Sequence, residues 1–200
     1  MSPDHILTRT LAPAMPPVEL VESKSDLRVQ HTAEDTLIEG LIAAATDFMD
    51  VPNGAINKAL ITQTWSLSVR CPDRDYRIHL PITPVQSIES ITYYDSNNAQ
   101  QSLDPADFYL HGDEEWAYIE PRTDITWPSV YNRLDAITIT FVAGFGDDST
   151  AVPNSIRQAM RLLVAHWYEH RTAVIVGTST SELPMAVQSL ISMNRKGWVA

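Results

Sequence analysis

Two histidines four residues apart flank a glutamate in the run His166-Trp-Tyr-Glu-His170, and this is the chain's nearest approach to catalytic chemistry. On a helix, residues four apart share a face. His166 and His170 could therefore hold one Zn²⁺ while Glu169 serves as general base for a metal-bound water. The spacing H-x-x-E-H occurs in one class of zinc peptidases. Such a site needs a third protein ligand, and the one carboxylate downstream of the motif is Glu182, 12 residues beyond His170. Trp167 belongs to the apolar stripe of the same helix, and Arg171 stands beside the motif. The plainer reading is a helix end, with His170 near the last carbonyls, where the helix dipole favours a cation. Short motifs often match by accident, so the helix end is preferred. A small zinc-dependent hydrolase using His166, Glu169 and His170 is the alternative.

Other chemical candidates are weaker. Gly144-Phe-Gly146 lacks the lysine and third glycine of a phosphate loop, and Asp147-Asp148 would repel an anion, so it reads as a strand-to-helix turn. Cys71 has no basic or helix-start setting to activate it, and no Gly-x-Ser-x-Gly is present. The segment 104–124 holds Asp104, Asp107, Asp113, Glu114, Glu115, Glu120 and Asp124 against Arg122. It reads either as a solvated hairpin surface or as an acidic wall that repels phosphates. Asp113-Glu114-Glu115 lacks the alternating ligand spacing of a dedicated Ca²⁺ loop. Neither cofactor nor metal is expected.

The composition agrees with a holding rather than a transforming role. Two hundred residues suffice for one domain with a core, and 44% hydrophobic content is ordinary. The net charge of −11 argues against gripping nucleic acid, which requires clustered Lys and Arg. An acidic DNA mimic is a third possibility, expected to be monomeric. A single cysteine rules out an internal disulfide and suits a reducing cytoplasm. The N-terminus has one early basic residue, Arg9, and is broken by Pro3, Pro13, Pro16 and Pro17, unlike a signal peptide. The apolar run around 137–145 is too short to span a bilayer.

These residues must be positioned by elements legible in the hydrophobic periodicity. Residues 1–16 read as an extended arm. Val18, Leu20, Val21 and Leu27 suggest a short helix with that side inward. Thr32 offers an N-cap with Asp35 three residues on, before the helical stripe Leu37, Ile38, Leu41, Ile42, Ala45, Phe48 and Met49. From residue 60 the period becomes two, with Ile61, Trp65, Leu67 and Val69 in one row. Further strands are expected at 76–80, 87–94, 108–110, 116–120 and 136–143, with a turn at Asp95–Ala99. Helix returns after Pro153 with the stripe Ile156, Ala159, Met160, Leu163, Val164 and Trp167, leaving Arg157, Arg161 and Arg171 on the wet side. Pro184 can start a last helix. The fold class is thus α+β: a small helical core, 17–58 and 152–193, with a central antiparallel β insertion at about 60–146. Residues 194–200 form a tail with Arg195, Lys196 and Trp198.

The ordered series of segments resembles the head–tail connector, or adaptor, proteins of long-tailed bacteriophages and gene transfer agents. The matching stretches are Val18-Glu-Leu-Val-Glu-Ser-Lys-Ser-Asp-Leu-Arg-Val, Asp35-Thr-Leu-Ile-Glu-Gly-Leu-Ile-Ala-Ala-Ala and Ile61-Thr-Gln-Thr-Trp. Further on they are Pro81-Ile-Thr-Pro-Val-Gln-Ser-Ile, Pro153-Asn-Ser-Ile-Arg-Gln-Ala-Met and Ala165-His-Trp-Tyr-Glu-His-Arg. Together they span residues 17–192, and the resemblance implies one connector domain over 17–193. It also implies a homo-oligomeric ring, usually of about twelve subunits. The ring would sit under the portal protein at a particle neck and pass the DNA channel to a stopper, or head-completion, protein. The helical part would make the ring, the tail would dock on the portal, and no residue would be catalytic. Double-stranded DNA would pass without tight binding, Asp113, Glu114 and Glu115 being candidates for an acidic lining. No membrane partner is implied, and the chain would be made in a bacterial host's cytoplasm.

Overall fold

The structure, a computed structural model, describes residues 5–170 and 183–195. The chain divides into two compact units: Met1–Ala14 with Thr62–Phe145, and Met15–Ile61 with Gly146–Ala200. Antiparallel strands make up the first and helices the second, so the fold is α+β.

The strands are β1 (His5–Leu11), β2 (Gln63–Val69), β3 (Ile78–His79), β4 (Val85–Tyr94), β5 (Gln100–Leu103), β6 (Phe108–Gly112), β7 (Ala117–Pro121) and β8 (Ile137–Ala143). Five form an antiparallel sheet in the order β1-β2-β8-β4-β5, and three form a second in the order β3-β7-β6. The central strand β8 alternates strictly, burying Ile137, Ile139, Phe141 and Ala143. Its register sets Phe141 opposite Trp65 and Ile139 opposite Leu67 on one side, and Ile139 opposite Ile91 on the other. That row is the core of the unit, because facing positions of neighbouring strands share one side of the sheet.

Two strands differ from the sequence expectation. The segment read as an extended arm outside the core is extended, and from His5 to Leu11 it is a strand paired along β2, with Leu7 opposite Leu67. The open edge of β2 offers backbone donors and acceptors that an extended segment satisfies, whatever its side chains. Strand β5 was not anticipated. Its residues, Gln-Gln-Ser-Leu, carry no apolar alternation, because it lies on the opposite edge with Gln100–Ser102 exposed.

In the second unit, α1 (Leu20–Leu27), α2 (Asp35–Met49), α3 (Asn154–Glu169) and α4 (Met185–Asn194) assemble around α3, which touches the other three. Its stripe Ile156, Ala159, Met160, Leu163 and Val164 is buried, facing Ile38, Ile42, Ala45 and Met49 of α2 among the unit's apolar residues. Phe48 meets Trp167 edge to face at 6.4 Å. Three expectations need correction here. Val21 is 74% exposed, and Ser23 takes the buried position instead. Thr32 does not cap α2, which starts from Glu34 without a side-chain cap; Asp35 is held by the Lys24 ammonium at 2.5 Å. The supposed wet side of α3 is a seam at two of its arginines, Arg171 lying outside the described residues: Arg157 pairs with Glu22, and Arg161 grips Asp26 through two nitrogens, the Nε–Oδ2 contact being 2.6 Å. Periodicity alone cannot see that α1 lies along this side of α3 and turns an acidic row toward its arginines.

The seam gives a pH dependence. Burial pushes the Glu22 carboxyl up, but the Arg157 hydrogen bond, the Glu19 N–H and the charges of Arg157 and Arg161 outweigh it and hold it below the ordinary 4.5. A depressed carboxylate stabilises the fold fully above its unfolded value, and that share is lost as pH falls through the folded one. Glu22→Gln should therefore lower the urea midpoint at neutral pH. The gap to the parent protein should shrink as the pH is taken well below 4.5. A gap independent of pH would show that the charge of Glu22 contributes nothing.

Candidate functional site

The Asp113-Glu114-Glu115 run sits at the tip of the β6–β7 hairpin, and local chemistry fixes its shape. Asp113 Oδ1 accepts from Glu115 N at 2.7 Å and Trp116 N at 3.1 Å, while Asp113 N donates to Trp116 O at 2.8 Å. The tip closes on Gly112, where a Cβ would stand 2.4 Å from Trp116 O; no other residue fits without moving the backbone. Thr83 Oγ1 donates to Glu114 O at 2.9 Å, tying the tip to the segment before β4. The acidic residues are thus displayed on a braced turn. Elsewhere in 104–124 carboxylates also have partners. Glu120 accepts from Arg77 Nε at 3.0 Å, and Asp104 caps a short 3₁₀ turn at Ala106 N.

Sequence reading missed the surface that stiffens this hairpin. Along one face of the three-stranded sheet, Trp116 stacks on Tyr118 at 5.5 Å, with His111 at 5.1 Å and His79 at 5.7 Å from the same ring. The Arg77 guanidinium lies 4.6 Å above Tyr118, and that of Arg122 lies 4.5 Å above Tyr109. His111 Nε2 approaches Glu120 Oε1 at 3.1 Å, without the alignment of a hydrogen bond. The opposite face carries Phe108, Ile119 and Ile78, all buried. The alternation in 108–112 and 117–121 held this signal, since Tyr109, His111, Tyr118 and Glu120 fall in one row.

His166 and His170 do share a helix face, their rings 4.5 Å apart. His170 Nδ1 lies 2.8 Å from His166 O, so the ring engages a carbonyl of the helix's last turn. Glu169 is exposed. Among the described residues no group of three or more His, Cys, Asp or Glu could hold a metal ion; Glu182 lies outside them. Cys71 is exposed on an open cavity of about 570 Å³ with Leu67, Val69 and Ile78. At the Gly144 turn, Asp148 Oδ1 itself accepts from Thr150 N at 2.8 Å and Ala151 N at 3.2 Å, so these donors are already taken.

The tail is shorter than expected. Met193 and Asn194 belong to α4, and Arg195, exposed, is its C-terminal cap residue, its N–H donating to Ile191 O at 2.8 Å. Asn194 extends the helix because its side chain bonds Leu190 O and Ser155 Oγ. Lys196 and Trp198 lie outside the described residues. No described helix is long and apolar enough to cross a membrane.

The architecture is shared with chains of gene transfer agent (GTA) particles. A chain in the virion of a native GTA particle is 25% identical, with a TM-score of 0.73 over 98% of this chain and 97% of that one. Chains in the neck of an empty GTA particle computed with C6 symmetry and of a native one computed with C12 symmetry match over the same shares. Each is 24% identical, with TM-scores of 0.72 and 0.67. The fold is therefore that of these GTA particle chains. Residues 20–196 match the model of the head completion protein family, and the chain belongs to that family. No curated protein matches the chain.

Proposed function

We propose that this chain is a head–tail adaptor: copies close into a ring at the particle neck, between the portal and the stopper, around a passage for double-stranded DNA. The observation that carries the reading is the fold match across nearly the whole chain to neck components of particles solved with six- and twelve-fold symmetry. Six-fold symmetry is contained in twelve-fold, so a ring of twelve copies satisfies both. Rotational closure needs two different surfaces on each copy, and the two units of the chain can provide them.

The DNA is passed and not held. A chain of net charge −11 is poorly suited to neutralising phosphates, and Asp113, Glu114 and Glu115 on the braced hairpin tip are the residues assigned to the channel wall. Without phosphate neutralisation no counterions are released, so a sliding duplex gains nothing by stopping. The role is structural, with no catalytic residue. The chain is made in the cytoplasm of the bacterial host and ends in the particle neck.

The tail docks on the portal through Arg195, Lys196 and Trp198; arginine and tryptophan are among the side chains most often found as interface anchors. Deleting 195–200 spares Asn194 and its bonds to α3 and α4, so thermal unfolding should be unchanged while binding to the portal is lost. A truncated chain that still enters necks at normal yield would remove the tail from the account.

A further inference from the structure

The five-stranded sheet ends in two edges of different character. One is β5, four residues long and mostly polar. The other is β1, seven residues long, and its backbone bonds run to β2; among the described residues none reaches its outer side. Alternate residues of an antiparallel strand turn N–H and C=O away from the neighbour, so among the described residues this edge is a row of unmade hydrogen bonds. Ile6 is 46% and Leu11 64% exposed beside it. A register shift between Arg9 and Leu11 interrupts one end and leaves His5–Arg9 in regular pairing.

Proteins usually guard a long edge with charge. Here the strand's one fixed charge is turned away from that task. The Arg9 guanidinium lies 5.8 Å from the Trp65 ring centre, and its Nη1 donates to Gln63 Oε1 at 3.4 Å. Neither β1 nor β5 contains an acidic residue, although Asp95 and Asp104 flank β5 and the chain carries 25 Asp and Glu. In a strongly acidic chain, these two edges are places where a second copy can approach without like-charge repulsion.

The topology also fixes a direction. All four pairings in the sheet are antiparallel, and five strands is an odd number, so β1 and β5 run the same way. Rotation about a ring axis by one-twelfth of a turn cannot reverse a strand, whereas a two-fold axis does. We infer that β1 of one copy pairs in parallel with β5 of the next, joining the sheets of neighbouring copies. β1 against β1 would close a two-fold dimer and end the assembly; β1 against β5 uses both ends of the sheet and propagates. Parallel pairs are slightly weaker than antiparallel ones, which suits a ring that assembles on its partner.

The inference rests on the ring reading, and the test separates the two. In a Cys71→Ser background, Thr8→Cys with Ser102→Cys, and as a second pair Ile6→Cys with Gln100→Cys, are assembled into necks and treated with a short bis-maleimide. Copies per neck are counted separately by electron microscopy. Either double variant should give a ladder of covalent multimers, and each single variant should stay monomeric on a denaturing gel. Dimers from Thr8→Cys alone would show two-fold pairing and overturn the proposal. Rings that form but do not crosslink with either pair would overturn it and leave the ring reading standing. Absence of rings altogether would overturn both.

Discussion

Leu163→Ala should destabilise the protein by about 2–5 kcal/mol, among the largest effects of any single substitution in the helical unit. Leu163 is fully buried on the stripe of α3, the helix that touches α1, α2 and α4. Truncation there removes transfer free energy and leaves a cavity between helices that cannot all close inward together. At this chain length each 1 kcal/mol moves the melting midpoint by about 2–4 °C, so a fall of roughly 4–20 °C is expected. Calorimetry of the isolated chain measures it. Since the helical unit is read as a ring-forming part, neck yield at 37 °C should fall with it. A midpoint within about 1 °C of the parent would show that α3 is not the organising helix.

The second large effect concerns the channel wall. Changing Glu114→Lys and Glu115→Lys with Asp113→Asn removes five units of negative charge per copy, taking the chain from −11 to −6. Asparagine at 113 keeps an oxygen for the N–H groups of Glu115 and Trp116, so the turn survives. A ring of such tips presents enough lysines for six or more phosphate contacts. At that number, affinity for duplex DNA changes about a thousandfold or more between low and physiological salt. Assembled necks should therefore retain DNA in a salt-dependent way, and particle titre should fall. Variant necks that neither bind duplex nor lose titre would show that the hairpin tip does not face the DNA.

How far the sequence could be read follows from where each element gets its stability. α2, β2 and β8 declare themselves because one face of each is buried and the other is not, so Ile38, Ile42 and Met49, or Ile137, Ile139 and Phe141, recur at the period of the backbone. β1 and β5 do not, because edge strands with exposed faces are held by backbone bonds to β2 and β4 and need no apolar row. The α1–α3 seam was hidden for a related reason. Arg157 and Arg161 look like solvent-facing residues until α1, more than 130 positions earlier in sequence, brings Glu22 and Asp26 to them. Among the candidate sites, the His166–His170 pair was legible as a motif, and so was the place of His170 at the helix's last carbonyls, where its ring meets His166 O. The acidic run at 113–115 was visible as charge. Its display on a turn closed by Gly112 and backed by Trp116, Tyr118 and two arginine–tyrosine contacts was not.

The central claim, that this chain is a ring-forming adaptor of a particle neck, is tested most directly by an electron cryomicroscopy reconstruction of the neck with no symmetry imposed and this chain traced in its density. A closed ring of twelve copies coaxial with the DNA, seated between portal and stopper, is expected. Isolated subunits, two-fold pairs, or placement of this chain away from the DNA axis would contradict it.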